Sequence, residues 1–235
     1  STLRSQFRYF DPDGDLGDMA FDYDNSLEGP LVPGITREQA QPFIDQVMSD
    51  PSLPERIGYT PLAAGKCGIP SDFPASDALK QKYPVQNCTS AVIGKRANGD
   101  PCTVTAHPVF FQTLQSVLEE AMQQSWWDHS SPPITFSSGF RSIETQIYLR
   151  MKNGGHRTIE QIMSSPTSPR CNPPTAAPGL SRHQLGLAID FGGSIGSSFT
   201  SDAHRWLKSK GLRGDGTYDI KNYEDEAWHW SVDGS

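Results

Sequence analysis

The sequence predicts an α+β fold, with a small antiparallel sheet that carries helices on one face and follows a loop-rich N-terminal extension. Segments that alternate apolar and polar residues, most clearly 187–191, have the period of strands. The segment 107–122 instead has apolar residues at the spacing of an amphipathic helix. A proline-rich stretch from residue 30 to residue 104 leaves room for short helices only and therefore predicts the extension.

The elements follow in chain order, within a predicted extension at 1–104 and a predicted core at 105–235. The extension contains one well-marked helix over 36–48, with Thr36 at its N-cap and Gln39 three residues later. The core elements are a helix over 107–122, a strand over 134–138, a helix from Ser142 to the Asn153-Gly154-Gly155 run, the strand 187–191, a helix over 203–210 and a C-terminal strand around 228–230.

The strand 187–191 directs its larger apolar residues to the core, and Ala188 and Asp190 to the other face. His183 lies seven residues before Asp190, so an unbroken strand would place the two on opposite faces. Gly186 lies between them and can bend the backbone so that they converge. A histidine and an aspartate that converge on an open site are ligands that zinc accepts.

A catalytic zinc site needs a third protein ligand and a base, and the C-terminal segment offers both. Trp228 and Trp230 would share one face of a strand, which leaves His229 on the other face, directed at the site. Glu226 is three residues before His229, so a straight strand would direct the two side chains to opposite faces. We therefore expect Glu226 in the preceding turn, where it can act as a general base.

Three blocks of this sequence resemble the D-alanyl-D-alanine metallopeptidases, the zinc carboxypeptidases, dipeptidases and endopeptidases that cut bacterial peptidoglycan peptides. The blocks are S-G-F-R-S-x-x-x-Q at 138–146, S-x-H-x-x-G-x-A-x-D at 181–190 and E-x-W-H at 226–229, and the likeness runs from about residue 105 to about residue 232. The sequence departs from the family at Ala227, where proline is frequent, and in a proline-rich insert containing Cys171 before the second block.

The resemblance implies a role for each matching residue. Zinc would be held by His183, Asp190 and His229, Glu226 would be the catalytic base, Arg141 would bind the substrate or act as an electrophile, and Gln146 and Ser181 would line the substrate site.

The implied reaction is hydrolysis of a peptide bond in peptidoglycan stem peptides or muropeptides, foremost as a D-alanyl-D-alanine carboxypeptidase. Alternatives within the class are an L-Ala-D-Glu endopeptidase and a D-Ala-D-Ala dipeptidase. From another class, a non-catalytic zinc module could bind the cell wall or a protein partner, although such a module would be expected to lose the base, and Glu226 is present.

The first 28 residues form an acidic arm with seven acidic and two basic residues, which accounts for five of the seven net negative charges of the chain. Part of this arm has the ligand spacing of a calcium loop, at Asp11, Asp13, Asp15 and Asp22. Leu16 stands where such a loop needs glycine, so a solvated acidic arm is the alternative. The rest of the chain is nearly neutral and has no basic stripe, which argues against nucleic acid as a partner.

Four cysteines in loop-rich surroundings predict two disulfides, with three possible pairings among Cys67, Cys88, Cys102 and Cys171. Disulfides indicate an oxidising compartment, so we expect a secreted, periplasmic or cell-envelope protein. No apolar run reaches the roughly 18 residues of a membrane helix, which predicts a chain without a transmembrane segment. We expect it to be a monomer.

Overall fold

The computed structural model describes residues 34–164 and 175–235, together with a short backbone pairing nearer the N-terminus. The strands are Tyr9–Phe10 (β1), Ala20–Phe21 (β2), Lys66–Cys67 (β3), Gln86–Asn87 (β4), Thr89–Lys95 (β5), Pro101–Ala106 (β6), Thr135–Ser138 (β7), Ala188–Gly192 (β8), Lys221–Asn222 (β9) and His229–Ser231 (β10). The α-helices are Arg37–Met48 (α1), Leu53–Ile57 (α2), Asp77–Lys82 (α3), Pro108–Ala121 (α4), Ile143–Gly154 (α5), Ile159–Ile162 (α6), Ser194–Ser197 (α7) and Asp202–Lys210 (α8), and a 3-10 helix spans Arg182–Leu185. The predicted α+β class is confirmed, and no described helix is long and apolar enough to cross a membrane.

Side-chain caps fix the ends of the predicted helices. Thr36 accepts a hydrogen bond from the main-chain N–H of Gln39, whose own side chain accepts one from the main-chain N–H of Thr36. Ser142 caps α5 in the same way through its hydroxyl, and Gly155 ends that helix in the left-handed conformation. The helix starts predicted at 36 and 142 are therefore confirmed, because each one depends on a local cap.

A four-stranded antiparallel sheet in the order β7-β8-β10-β9 forms the centre of the fold. Strand β8 lies in its interior, and Ala188, Ile189, Asp190 and Phe191 are all buried. Phe136 of β7 packs edge-on against Phe191, at 5.4 Å between ring centroids. The small antiparallel sheet predicted from the alternating segments is thus confirmed, and its second strand is the most buried part of the site region.

One continuous hydrophobic core joins the described part of the extension to the sheet. It includes Ile44 of α1, Leu114 of α4 and Trp230 of β10, each at most 1 % exposed. The hairpin of β5 and β6 packs on β7, and β6 runs across the predicted boundary at residue 104. The division into an extension and a core therefore stays a prediction, because the described residues on both sides share this apolar interior.

A tight turn at Gly186 connects the 3-10 helix to β8, and the disulfide Cys67–Cys88 packs directly on it. Gly186 has a φ of +68°, and a Cβ there would lie 2.4 Å from Cys67 Sγ. The main-chain N–H of His107 donates to the Gly186 carbonyl at 2.8 Å. The bend predicted at this glycine is confirmed. The second predicted disulfide would join Cys102 to Cys171, and Cys171 lies outside the described residues.

Replacing Gly186 tests whether this turn needs both the left-handed backbone and the empty space. We expect Gly186→Ala to lower the free energy of unfolding by about 2–5 kcal/mol, from backbone strain plus overpacking against Cys67. Gly99 is a matched control, because its φ is +90° and nothing lies within 4 Å of its Cβ position. Gly99→Ala should lose only about 1–2 kcal/mol. Urea unfolding of both variants, with the disulfide intact, makes the comparison, and equal losses would contradict the contact with Cys67.

Candidate metal centre

The sheet brings Asp190 and His229 together as direct cross-strand partners. Their Cα atoms are paired in the antiparallel register of β8 and β10, so both side chains leave the same face of the sheet. His183 reaches this face from the 3-10 helix, after which the chain bends at Gly186. The convergence of His183 and Asp190 that was predicted from a bend at Gly186 is therefore present in the structure.

The three side chains form a compact, buried cluster whose candidate ligand atoms all lie within 4.8 Å of one another. The Asp190 carboxylate bridges the two imidazoles. Its Oδ2 lies 3.1 Å from His183 Nε2, and its Oδ1 lies 3.0 Å from His229 Nδ1. Zinc bonds of about 2.0–2.1 Å in a tetrahedral site separate neighbouring ligands by about 3.3 Å. The spacing of the cluster fits a zinc ion.

A further observation shows that these donors fit a metal better than they fit one another. His183 Nε2 and Asp190 Oδ2 are buried, and neither has a hydrogen-bond partner among the described residues. They are close, but the ring is not oriented to donate to the carboxylate, so both atoms are directed at shared space. Buried polar atoms without a partner are unfavourable, and a cation between them would satisfy both.

Main-chain oxygens fix the orientation of both imidazoles. His183 Nδ1 lies 2.7 Å from the Gly139 carbonyl, and His229 Nε2 lies 3.0 Å from the main-chain oxygen of Ser235. A carbonyl oxygen can only accept, so each of these nitrogens carries a hydrogen and donates it. In the neutral form of each ring, the other nitrogen, which is the one beside Asp190, is left to bind a metal.

Charge and burial set the protonation of the cluster. Burial would raise the pKa of Asp190, but the adjacent His183 and His229 outweigh it and hold this pKa below its usual range. Burial lowers the pKa of His183, although Asp190 opposes this effect. Burial would also lower the pKa of His229, but the hydrogen bond and charge of Asp190, with a further contribution from Glu226, raise it. An ionised Asp190 beside a neutral His183 suits metal binding, whereas the raised pKa of His229 favours its protonated form, from which a metal ion would have to displace the Nδ1 proton.

Arg141 lies next to the cluster and is almost fully buried. Its main-chain N–H donates to the His183 carbonyl at 2.9 Å, which ties this block to the ligand block. Its guanidinium donates to Gln146 Oε1 at 3.1 Å and to Ser138 Oγ at 3.2 Å. Gln146 itself is buried, and its Nε2 donates to the Ala176 carbonyl. The structure thus shows Gln146 orienting the arginine, and the substrate contact predicted for it stays a prediction.

Glu226 lies in the turn between β9 and β10, as its parity predicted, and it is partly exposed. Its carbonyl accepts from the main-chain N–H of His229 at 3.2 Å. The predicted pairing of two tryptophans on one strand face holds only in part. Trp230 lies behind the sheet against Phe191, but Trp228 belongs to the turn, because β10 begins at His229.

The remaining predicted site residues lie at the edge of the cluster or outside the described chain. The Ser181 hydroxyl caps the 3-10 helix by accepting from the main-chain N–H of His183, and its substrate role stays a prediction. The calcium loop predicted at Asp11, Asp13, Asp15 and Asp22 lies outside the described residues. No observation of the described chain supports a calcium site.

The buried His-Asp-His cluster defines a candidate metal centre in an α+β fold. A family model described as D-alanyl-D-alanine carboxypeptidase (VanY) matches residues 112–235, which is more than half of the chain. The chain therefore belongs to this family, and the resemblance predicted from its three sequence blocks is confirmed. Comparisons with curated proteins and with solved structures gave no match.

The structure adds functional groups that the sequence patterns did not reveal. The main-chain oxygens of Gly139 and Ser235 orient the histidines, and a main-chain oxygen leaves no signal in a sequence. Asn222 lies under the turn that carries Glu226 and donates to its carbonyl at 2.9 Å. The sequence carried no signal for Asn222, because its burial and its pairing with Trp230 are visible only in the structure.

Metal content tests the cluster directly. We expect the purified protein to contain one zinc per chain, and His183→Ala and Asp190→Ala each to lose it, because either change leaves only two protein ligands. His129→Ala removes an exposed histidine outside the cluster and should retain the metal. Elemental analysis after native purification measures all four proteins. A metal-free wild type that reaches full activity in strong chelator would exclude this site.

Proposed function

We propose that this chain is a zinc-dependent carboxypeptidase that removes the terminal D-alanine from peptidoglycan stem peptides. The observation that carries the proposal is the pair of buried atoms, His183 Nε2 and Asp190 Oδ2, which lie 3.1 Å apart without forming a hydrogen bond. They lie in the part of the chain that matches the carboxypeptidase family. Two imidazoles and one carboxylate are a donor set typical of catalytic zinc.

His183, Asp190 and His229 would hold the ion through Nε2, a carboxylate oxygen and Nδ1. When bound, zinc supplies Lewis-acid chemistry, which polarises a carbonyl and makes water a stronger nucleophile near neutral pH. Three protein ligands leave a coordination position for the reaction, as in other catalytic sites. The chain's own residues then have to bind the peptide and move protons.

Glu226 is suited to proton transfer because it lies beside the cluster without belonging to it. It is three residues before His229, and its charge contributes, after that of Asp190, to the raised pKa of His229. Its carboxylate would accept a proton from water as the new C–O bond forms at the scissile carbonyl carbon. When the C–N bond breaks, the same proton would pass to the nitrogen of the departing D-alanine.

Arg141 is suited to recognise the terminal carboxylate that distinguishes a carboxypeptidase substrate. Its main-chain N–H donates to the His183 carbonyl, and its guanidinium donates to Ser138, the residue paired with Asp190 in the sheet. Gln146 and Ser138 hold that guanidinium in one orientation. An arginine held in this way can form paired hydrogen bonds with a carboxylate, and a lysine cannot reproduce that geometry.

The proposed substrate implies a place of action outside the cytoplasm. Peptidoglycan stem peptides lie in the cell envelope, and the disulfide Cys67–Cys88 favours an oxidising compartment. We therefore propose a secreted, periplasmic or cell-envelope enzyme. We also propose that it works as a monomer.

Glu226→Gln separates catalysis from metal binding, because it keeps the shape of the side chain and removes the base. We expect zinc content and fold to be retained and kcat to fall by about two to four orders of magnitude. Glu224→Gln is the matched control in the same loop, where Glu224 forms an exposed ion pair with Arg213. That control should keep its activity. The assay follows release of D-alanine from a peptide ending in D-Ala-D-Ala.

Mass analysis of the products formed from purified muropeptides distinguishes a carboxypeptidase from an endopeptidase. Loss of one terminal alanine identifies a carboxypeptidase, and cleavage within the stem identifies an endopeptidase. If the zinc-loaded wild type cleaves none of these substrates, the non-catalytic zinc module would replace this proposal. Near-full activity of Glu226→Gln would instead exclude Glu226 as the base.

Recognition of the terminal carboxylate is tested by pairing a substrate change with Arg141. The wild type should prefer a peptide with a free C-terminal carboxylate over its C-terminal amide. Arg141→Ala should reduce kcat/KM for the free acid by about 10- to 100-fold and abolish that preference, since a charged hydrogen bond is lost. Arg37→Ala removes a partly buried arginine of α1 and should leave the preference intact. An unchanged preference in Arg141→Ala would show that another group binds the carboxylate.

A further inference from the structure

The side-chain amide of Asn222 lies beneath the six-residue connection, 223–228, that joins β9 to β10. Its Nδ2 lies 2.9 Å from the Glu226 carbonyl, 3.4 Å from the Ala227 carbonyl and 2.9 Å from the His229 carbonyl. One buried amide group is thus surrounded by three main-chain acceptors from the segment that carries both the proposed base and a proposed metal ligand.

The surrounding groups fix which way this amide faces. Since the three carbonyls can only accept, the NH2 group must be on their side and Oδ1 on the other. There, Asn222 Oδ1 lies 3.2 Å from His204 Nε2, which must therefore donate to it. His204 is buried on α8, with its ring against Phe199 at 5.3 Å and Trp230 at 5.0 Å between centroids.

The amide acts at the middle of the connection, whose ends are held by the backbone. Tyr223 N–H donates to the His229 carbonyl and Phe191 N–H to the Trp228 carbonyl, both at 2.9 Å, whereas the bonds from Glu226 N–H to the Tyr223 carbonyl and from His229 N–H to the Glu226 carbonyl are both 3.2 Å. The indole of Trp230 adds one bond to the Ala227 carbonyl, at 3.0 Å. A general base has to lie within hydrogen-bond reach of the proton that it takes, and a displacement of about 1 Å can reduce the rate by about 100-fold.

We propose that Asn222, held in orientation by His204, is a positioning residue that sets Glu226 relative to His229. The proposal rests on the proposed function, in which Glu226 is the base. Helix α8 lies outside the metal cluster. Through His204 and Asn222 it would influence the rate without contacting the substrate.

The test uses Asn222→Ala in the full chain, purified with its metal, and reads out both motion and rate. Amide hydrogen exchange within 223–229 should become faster by about tenfold or more, since two or three hydrogen bonds are lost. We expect kcat to fall by about 10- to 100-fold, while KM and zinc content stay near those of the wild type. A split between kcat and KM is the result that a purely structural role would not produce.

His204 provides a graded pair of variants in case Asn222→Ala does not fold. His204→Phe keeps a ring between Phe199 and Trp230 and removes the donor, so it should show the same changes to a smaller extent. His204→Gln can return a donor near the position of Nε2 and should restore kcat most of the way. Val47→Ala on α1 is a control for general destabilisation, because Val47 is buried in the core away from this connection.

Three outcomes would overturn the proposal. If amide exchange within 223–229 is unchanged in Asn222→Ala, the hydrogen bonds of Asn222 do not hold the connection, whatever the activity. If that variant does not fold, the same result in His204→Phe has the same meaning. Faster exchange with an unchanged kcat excludes the positioning role. A fall in kcat that Val47→Ala reproduces would indicate general destabilisation. If the wild type itself hydrolyses no peptide, the proposed function fails, and the exchange measurement still decides whether Asn222 tethers the connection.

Discussion

A fully buried carboxylate, that of Asp190, constrains the rest of this structure. Removing a carboxylate from water costs several kcal/mol, so its charge has to be balanced by groups that are already in place. An interior strand allows this, because β8 has neighbours on both sides and β10 places His229 directly opposite Asp190. His183 approaches the same carboxylate from the turn before the strand, and a cation among the three side chains would complete the balance. The sheet order and the bend at Gly186 bring these side chains together around one anion.

Distant segments orient the two imidazoles beside Asp190. The Gly139 carbonyl accepts from His183, and the Arg141 N–H donates back to the His183 carbonyl, so two hydrogen bonds bind the arginine block to the ligand block. The segment that orients the His183 ring therefore also holds the backbone of Arg141 beside it. In this arrangement a change in Gly139 would disturb His183 and Arg141 together.

Sequence patterns predicted the parts of the site that depend on local geometry. The alternation in 187–191 identified Asp190 as the residue opposite the core, and the parity of Glu226 placed it in a turn. The patterns could not predict contacts made by main-chain oxygens, since every residue carries one. They also misplaced Trp228, because the start of β10 is decided by pairing with β8. The side chain of Gln146 matched a family block, but only tertiary structure shows that it holds Arg141.

Helix α5 has one polar face that binds Arg141 and main-chain oxygens on both sides of the proline-rich insert. Its polar residues Gln146, Arg150 and Asn153 follow the i, i+4, i+7 spacing of one helical face. Arg150 donates to the main-chain oxygens of Ser164 and Thr175, the two residues that flank the insert. Gln146, on the same face, donates to Ala176 and accepts from Arg141. One polar face of α5 therefore holds Arg141 and, at residues 164 and 175, the chain on either side of the insert.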